Sequence, residues 1–236
     1  MQYPKISEYV KTNQDVSDNL DMSTETTDEE LNEAITDEWG VKYSKDGRRL
    51  LKAPQKLDST YSIKEGVKII CDSAFFGCYS LSEIVIPSSV TSIGNRAFNK
   101  CDSLRSVVIS DGVTSIWDRA FDGCDSLSEI VIPSSVTNIG KDAFGGCISL
   151  SKIVIPSSVT SIGDSAFSSC YSLSEIVIPS SVTSIGDRAF LGCRSLSEIV
   201  IPSSVTSIGK KAFGCCNIPT DLKQELSSRF GEEIFW

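Results

Sequence analysis

Apolar residues along the chain follow a short pattern: they alternate as in a β-strand over a few residues, and an apolar pair then follows at a turn. Ile84 and Ile86 alternate with outward positions, so they predict a strand whose inward face carries both side chains. Pro87 ends this strand because proline cannot donate a ladder hydrogen bond. After Gly94, the sequence Asn-Arg-Ala-Phe predicts a brief helical or 3₁₀ turn that places Ala97 and the following phenylalanine inside. The pattern therefore predicts one compact coil of backbone.

The same pattern recurs at a fixed interval of 23 residues. The Ala-Phe pair begins at Ala74, Ala97, Ala120, Ala143, Ala166, Ala189 and Ala212, and a cysteine follows four residues after each alanine. The string SLSEIVIPSSVTSIG occurs unchanged at 80–94, 172–186 and 195–209. A single unit cannot bury its own apolar face, whereas stacked units bury each other's faces and pair each other's strands. The sequence therefore predicts a solenoid.

The repeat L-x-x-I-x-I-P-x-S-V-x-x-I-G-x-x-A-F-x-x-C, matched coil after coil over roughly residues 61–216, resembles the BspA-like leucine-rich repeats of bacterial surface proteins. The resemblance implies an α/β repeat solenoid. This is a right-handed leucine-rich repeat coil with a parallel β-sheet on one face, short helical or 3₁₀ turns on the other, and a cap at each end. Members of that family are mostly secreted or surface-anchored, and some adhere to host proteins or other bacteria. The resemblance therefore also implies a surface location and an adhesive role.

Each end of a solenoid exposes a strand edge and a section of core, so we expect caps. Thr27 and Glu30 form a capping-box pattern ahead of a helix, Asp46 begins an Asp-Gly hairpin turn, and Pro219 opens a final helix. We therefore divide the chain into four parts: an acidic segment at 1–38, partly flexible at 13–25 and with a short helix near 28–39; a cap hairpin with a first incomplete coil at 39–78; six 23-residue repeats at 79–216; and a capping helix at 217–236.

The net charge of −9 belongs to the first of these parts. Residues 1–38 contain 2 Lys+Arg and 11 Asp+Glu, whereas residues 39–236 contain 20 of each. Neither part offers the basic surface that nucleic acid or an anionic membrane would need. The apolar stretches are too short to span a bilayer, and the first residues lack the apolar core of a signal peptide. The compartment stays open: cytoplasmic, or the surface location that the resemblance implies, with a signal already removed.

The chain contains no histidine, which excludes Ser-His-Asp and Cys-His catalytic groups and His-containing zinc sites. Near-identical coils also present the same side chains at every step, whereas an enzyme needs different residues that converge in one pocket. We therefore expect no catalysis and no cofactor.

Seven of the nine cysteines occupy the same position in successive coils. A disulfide scaffold and a metal site are the alternatives, but no Cys-x-x-Cys pair occurs, and stacked equivalents run parallel, which suits a disulfide poorly. We expect a packed ladder of reduced thiols, since free cysteine buries like a small apolar residue. Cys71 and Cys215 lie outside the ladder, so we expect these two to be the reactive thiols.

The residues that alternate with the inward set form two candidate rows on the outer face of the predicted sheet. One row is apolar and consists of Val85, Val108, Val131, Val154, Val177 and Val200. The second row borders it and contains Glu83, Glu129, Lys152, Glu175 and Glu198. An apolar stripe with a charged rim is typical of an interaction surface. The alternative is that valine is simply favoured in a half-exposed strand.

One coil, 104–126, departs from the repeat. Trp117 stands where other coils have glycine, so this position does not need a positive φ. The glycines there therefore reflect ordinary turn geometry or close coil spacing. Trp117 together with Arg119 is a candidate anchor for a partner. Sequence drift in one repeat copy is the alternative.

These observations predict a non-catalytic protein-interaction module, with an adhesive role by the family resemblance. An intracellular scaffold or regulatory binding protein is the alternative, favoured by the missing signal peptide and the reduced cysteines. The expected partner is a protein, and neither nucleic acid binding nor membrane insertion is expected. A homo-oligomer through the sheet face or the solenoid ends is a further alternative.

Overall fold

The computed structural model describes residues 23–236 as a solenoid of stacked backbone coils. Equivalent residues of neighbouring coils lie side by side, so that Ile84 pairs with Val107 and Ile139 with Ile162 in parallel strands. The predicted leucine-rich repeat solenoid with a parallel sheet is therefore confirmed. Most of the segment predicted to be flexible, residues 13–22, lies outside the described residues.

Two β-layers run along the solenoid. We call the first the valine sheet; it consists of β4 (Thr60–Ser62), β6 (Glu83–Ile86), β8 (Ser106–Ile109) and β10 (Glu129–Val131), and of a separate pair, β12 (Lys152–Val154) and β14 (Glu175–Val177). We call the second the serine sheet; its ten strands are, in spatial order, β1 (Ile35–Thr36), β2 (Lys42–Tyr43), β3 (Arg49–Lys52), β5 (Ile69–Ile70), β7 (Ser92–Ile93), β9 (Ser115–Ile116), β11 (Asn138–Ile139), β13 (Ser161–Ile162), β15 (Ser184–Ile185) and β16 (Ser207–Ile208). The serine sheet was not predicted, because a two-residue strand leaves no periodic signal in a sequence.

The turn that follows the serine sheet is not helical, contrary to the prediction from Asn-Arg-Ala-Phe. Arg96 and Lys100 both have left-handed backbone conformations, with φ of 54° and 58°. Alternate N–H groups close reverse turns inside the coil, as from Ala97 to Gly94 O (3.2 Å). The N–H groups between them cross to the next coil, as from Phe75 to Ala97 O (2.7 Å). We call this the turn ladder, and it ties each coil to its neighbour on a third side.

The core is dominated by a stack of phenylalanine rings, one from each coil. The rings of Phe75, Phe98, Phe121, Phe144, Phe167, Phe190 and Phe213 are fully or almost fully buried and nearly parallel, with centroids of neighbouring rings 4.8–5.6 Å apart. The stack ends against tilted rings of Tyr61 and Phe235. Each offset aromatic pair contributes roughly 0.5–1.5 kcal/mol beyond the burial of its area.

Short capping structures cover both ends of the solenoid. At the first end, β2 and β3 form an antiparallel hairpin, and the buried carboxylate of Asp37 accepts hydrogen bonds from the Tyr61 hydroxyl (2.8 Å) and from Val41 N–H (2.9 Å). The helix predicted near 28–39 is shorter than expected: α1 spans Asp28–Asn32, and the residues after it form β1, which pairs with β2. A helix of five residues ends where the chain gains strand hydrogen bonds instead.

At the other end, α2 (Thr220–Phe230) lies over the last coil and buries Leu226. A 3₁₀ helix (Glu232–Ile234) follows, and its carbonyl groups extend the turn ladder, because Phe213 N–H donates to Ile234 O (2.8 Å). The chain after α2 thus supplies hydrogen-bond acceptors that a further coil would otherwise provide.

Truncation of one ring in the middle of the stack should be costly. We expect Phe144→Ala to lower the free energy of unfolding by about 3–5 kcal/mol, because the cavity is flanked by rings held on both sides by the turn ladder. Phe76→Ala is the matched control, since Phe76 is only partly buried and lies outside the stack. Urea unfolding of both variants checks this, and equal losses would contradict the role of the stack.

Candidate protein-binding face

All six valines of the apolar row lie on the outer face of the valine sheet and its continuation. They are 39–80 % exposed, whereas the isoleucines beside them in the same strands, such as Ile84, Ile153 and Ile176, are buried. Parallel register places Val85 beside Val108, and Val154 beside Val177. The predicted row is therefore an ordered feature of the surface, with paired strands joining Val85, Val108 and Val131, and Val154 with Val177.

The charged row that borders the valines is also exposed and is largely unpaired. Lys152 forms an ion pair with Glu175 across neighbouring strands (2.7 Å). Among residues 23–236, no ion pair involves Glu83, Glu129 or Glu198. We call the six valines and the charged row beside them the valine face. Its rim is acidic, because its one lysine, Lys152, is neutralised by Glu175.

The valine sheet is open at two junctions between coils, a feature that the sequence did not predict. In the paired region Glu175 N–H donates to Ser151 O (3.3 Å), but the described residues include no matching bond from Lys152 to β10 or from Glu198 to β14. The first opening is a cleft of about 580 Å³ between β10 and β12, with Val131 and Val154 among its lining residues.

Only one of these openings has an explanation in the sequence. Continued pairing after β14 would place Glu198 beside Glu175, and like charges directly opposite each other destabilise a pair of strands. At the first opening the facing residues would be Glu129 and Lys152, which attract each other, so charge does not explain it. At both junctions the serine sheet stays paired, with Ile139 beside Ile162 at the first and Ile185 beside Ile208 at the second.

The candidate anchor formed by Trp117 and Arg119 lies after the serine sheet and not on the face that carries the valines. Trp117 follows β9 of the serine sheet, is 42 % exposed, and donates its indole N–H to Ser92 Oγ (2.9 Å). Arg119 forms an ion pair with Asp142 (3.2 Å). Both side chains therefore have intramolecular partners, and neither joins the valine face.

The inference drawn from Trp117 about the glycine position is confirmed. Gly94 has no positive φ, and a Cβ there would lie 2.8 Å from Asp72 N and 2.9 Å from Ile70 O of the preceding coil. Close coil spacing is therefore the reason for glycine. The Asp72 carboxylate occupies this narrow space and accepts a hydrogen bond from Asn95 N–H (2.7 Å).

The cysteine ladder is present as free, buried thiols. Each of Cys101, Cys124, Cys147, Cys170, Cys193 and Cys216 donates its thiol to the carbonyl oxygen of the phenylalanine 26 residues before it (3.1–3.2 Å), and Cys78 donates to Pro54 O (3.5 Å). Burial raises the pKa of Cys170 to about 12, so the thiol keeps its donor proton at neutral pH. The cysteines thus bridge coils without any covalent bond.

The two remaining cysteines differ from each other. Cys215 is exposed, as expected for a reactive thiol. The expectation for Cys71 was wrong: its thiol is buried beneath the segment that carries α1, and burial raises its pKa to about 11. In residues 23–236 no group of three or more Cys, Asp or Glu side chains is arranged to hold a metal ion.

Comparison with known proteins identifies the family. Residues 55–174 and 160–236 match the BspA type Leucine rich repeat region, with six copies of the repeat. The chain belongs to the BspA-type leucine-rich repeat family. A comparison with curated protein sequences gave no match.

Solved structures of bacterial leucine-rich repeat proteins share the fold. The T. pallidum leucine-rich repeat protein is 32 % identical with a TM-score of 0.74, over 86 % of this chain and 95 % of its own. A leucine-rich cell surface protein of Faecalibacterium prausnitzii A2-165 is 36 % identical with a TM-score of 0.70, over 79 % of this chain and 53 % of its own. The pneumococcal vaccine antigen PcpA, at 21 % identity and a TM-score of 0.55, shows the fold alone.

The BspA-type repeats and their neighbours support a protein-interaction module, and such repeat proteins are typically not enzymes. Within residues 23–236, no helix is both long and apolar enough to cross a membrane.

Counting accessible thiols tests the ladder. At pH 8 the native protein should present one fast-reacting thiol to Ellman's reagent, Cys215, because the other eight are buried. All nine should react after denaturation. The variant Cys215→Ser is the control, and it should show no fast reaction. Fewer than nine thiols in the denatured, unreduced protein would reveal disulfides and contradict the ladder of free thiols.

Proposed function

We propose that this BspA-type repeat protein is a non-catalytic binding module that holds a protein partner on its valine face. The observation that carries the proposal is the row of six exposed valines, one from each successive coil, on a face whose inward residues are buried. Isolated exposed apolar residues are normal on any protein, but a contiguous row is not. β-propensity accounts for valine at one position, yet it does not account for the acidic border that accompanies the row.

The dimensions of the face suit an extended contact. The six valines come from six successive coils, and at about 4.8 Å per coil they span roughly 25 Å. This length is enough to contact a strand, a helix or an edge of a folded domain. The serine sheet and the turn ladder hold the coils in register behind the face. A preorganised surface loses little conformational entropy on binding, so even a modest apolar area gives useful affinity.

The charges define the kind of partner that fits. Glu83, Glu129 and Glu198 have no ion-pair partner in the described structure, and Lys152 is neutralised by Glu175. A partner with an apolar centre and Lys or Arg residues around it would complement the valines and the acidic rim together. Such rim charges chiefly raise the association rate and the specificity.

An adhesive role is the finer form of this proposal. One similar structure is that of a leucine-rich cell surface protein, which supports a surface partner for this chain as well. An intracellular scaffold or regulatory protein is the second candidate, and the nine free thiols favour it, since reduced cysteines are typical of the cytosol. Fractionation of the native host separates the two, because a strictly cytosolic protein could not adhere to an outside surface.

Charge placed on the valine face should abolish binding. The double variant Val131→Lys with Val177→Lys should lose a partner that the unchanged protein captures, because it places two cations in the apolar row. Asn138→Lys is the matched control, since Asn138 is an exposed residue on the outer side of the serine sheet. Pull-down with each protein, followed by mass spectrometry and a thermal melt to verify folding, makes the comparison.

Retention of every partner by the folded double variant would exclude the valine face. A partner lost equally from the Asn138→Lys control would show a non-specific charge effect. If the species captured is the same chain, the face is a homo-oligomer interface instead, and size-exclusion chromatography of the variant should then show a shift to monomer.

A further inference from the structure

A second apolar surface lies on the outer side of the serine sheet, at the first coil. Leu51, Ile69 and Cys71 form a small cluster there, separate from the main core, and we call it the strap patch. Residues 23–34, which we call the strap, cross over it. Leu31 and Ala34 of the strap pack against the patch, and Asp72 N–H donates to Thr24 O (2.7 Å).

The strap patch is an exception to the repeat. The residues equivalent to Ile69 in later coils are polar: Ser92, Ser115, Asn138, Ser161, Ser184 and Ser207. The position of Cys71 is occupied by glycine in five later coils and by tryptophan in one. At the Ile69 position, an apolar residue thus replaces serine or asparagine in the one coil that the strap covers.

The strap is held mainly by polar contacts. Its helix α1 has no buried residue. The guanidinium of Arg49 is only 11 % exposed; it donates to Ser23 O (2.6 Å) and Glu25 O and pairs with the Glu30 carboxylate (3.0 Å). Lys45 adds an exposed ion pair with Glu33 (2.9 Å). The Arg49–Glu30 pair therefore lies at the centre of the attachment.

We propose that the strap is a latch, held by the Arg49–Glu30 pair, which opens locally and uncovers the strap patch while the solenoid stays folded. Local opening is expected where a segment has few buried apolar contacts and is joined to the body mainly by polar ones. The solenoid core does not depend on the strap, because the patch belongs to a separate cluster. Opening exposes Leu51, Ile69 and Cys71, which the closed protein buries.

Cys71 is a built-in reporter for this opening. Its side chain is fully buried in the closed state, so N-ethylmaleimide should modify it only when the strap is open. Cys78 and Cys101 lie in the main core and report global unfolding, whereas Cys215 is exposed and reports reagent activity. Mass spectrometry with fragmentation that separates Cys71 from Cys78 gives a labelling rate for each thiol.

The substitution Glu30→Gln tests the latch. Glutamine keeps the capping box with Thr27 but removes the charge that pairs with Arg49. Cys71 should then be labelled at least about tenfold faster, because the largely buried Arg49 guanidinium loses the negative charge that faces it. Glu29→Gln is the matched control, since Glu29 is exposed on the same helix and has no ion pair among the described residues. Its Cys71 rate should equal that of the unchanged protein.

Two results would overturn the proposal. An unchanged Cys71 rate in Glu30→Gln would show that the pair does not hold the strap. Labelling of Cys78 and Cys101 at the same raised rate as Cys71 would show that the whole solenoid opens, not the strap alone.

Discussion

Each coil of this protein is held by hydrogen bonds between its residues and those at matching repeat positions of the next coil. The rest of the structure depends on this matching of positions. The turn ladder is its strictest form, since N–H groups such as that of Phe75 must meet the carbonyl group of the equivalent turn, at Ala97 O, at close range. Within the repeats, every such bond joins residues at the same spacing, which fixes the unit at 23 residues. The ring stack depends on the same spacing, because phenylalanine rings overlap only if every coil repeats.

The close spacing of the coils also explains the repeated glycines and cysteines, which could otherwise be interpreted as functional residues. The narrow space between coils favours glycine at position 94 and at four of its equivalents, and a small thiol at the cysteine position. The thiols donate to phenylalanine carbonyl oxygens that also accept an N–H of their own turn, as Phe75 O accepts from both Cys78 N–H and the Cys101 thiol. Each such cysteine therefore adds a hydrogen bond between coils instead of forming a metal site or a disulfide. Repetition therefore accounts for seven of the nine cysteines.

The serine sheet and the turn ladder hold the coils together, so the valine sheet need not be paired at every junction between coils. Two of its junctions are open while the sides behind them stay paired, so the valine face can present free backbone groups as well as apolar side chains. A partner could use both, and this is the physical link between the fold and the proposed binding function. The acidic rim adds selectivity to a surface that would otherwise attract any apolar segment.

The repeat made the solenoid, the inward residues and the exposed valines predictable, because each rests on a period that is visible in the chain. The Gly94 position could be interpreted as well, since one tryptophan among glycines excludes a conformational reason. The left-handed turn at Arg96 and Lys100 could not be predicted, because neither residue favours that conformation and only the inter-coil bonds impose it. Burial of Cys71 was also missed, since it depends on a strap whose docking rests on Arg49, a contact between distant parts of the chain.

The central claim is that the coils are locked on the serine sheet and in the turns but open on the valine face. Residue-resolved hydrogen exchange tests it directly. The amides of Lys152 and Glu198 should exchange much faster than that of Glu83, which holds the same repeat position but donates to Ser59 O (2.9 Å). The amides that bridge the same two junctions elsewhere should stay protected: Phe144 and Phe190 in the turn ladder and Gly209 in the serine sheet. Protection of Lys152 and Glu198 equal to that of Glu83 would contradict the account.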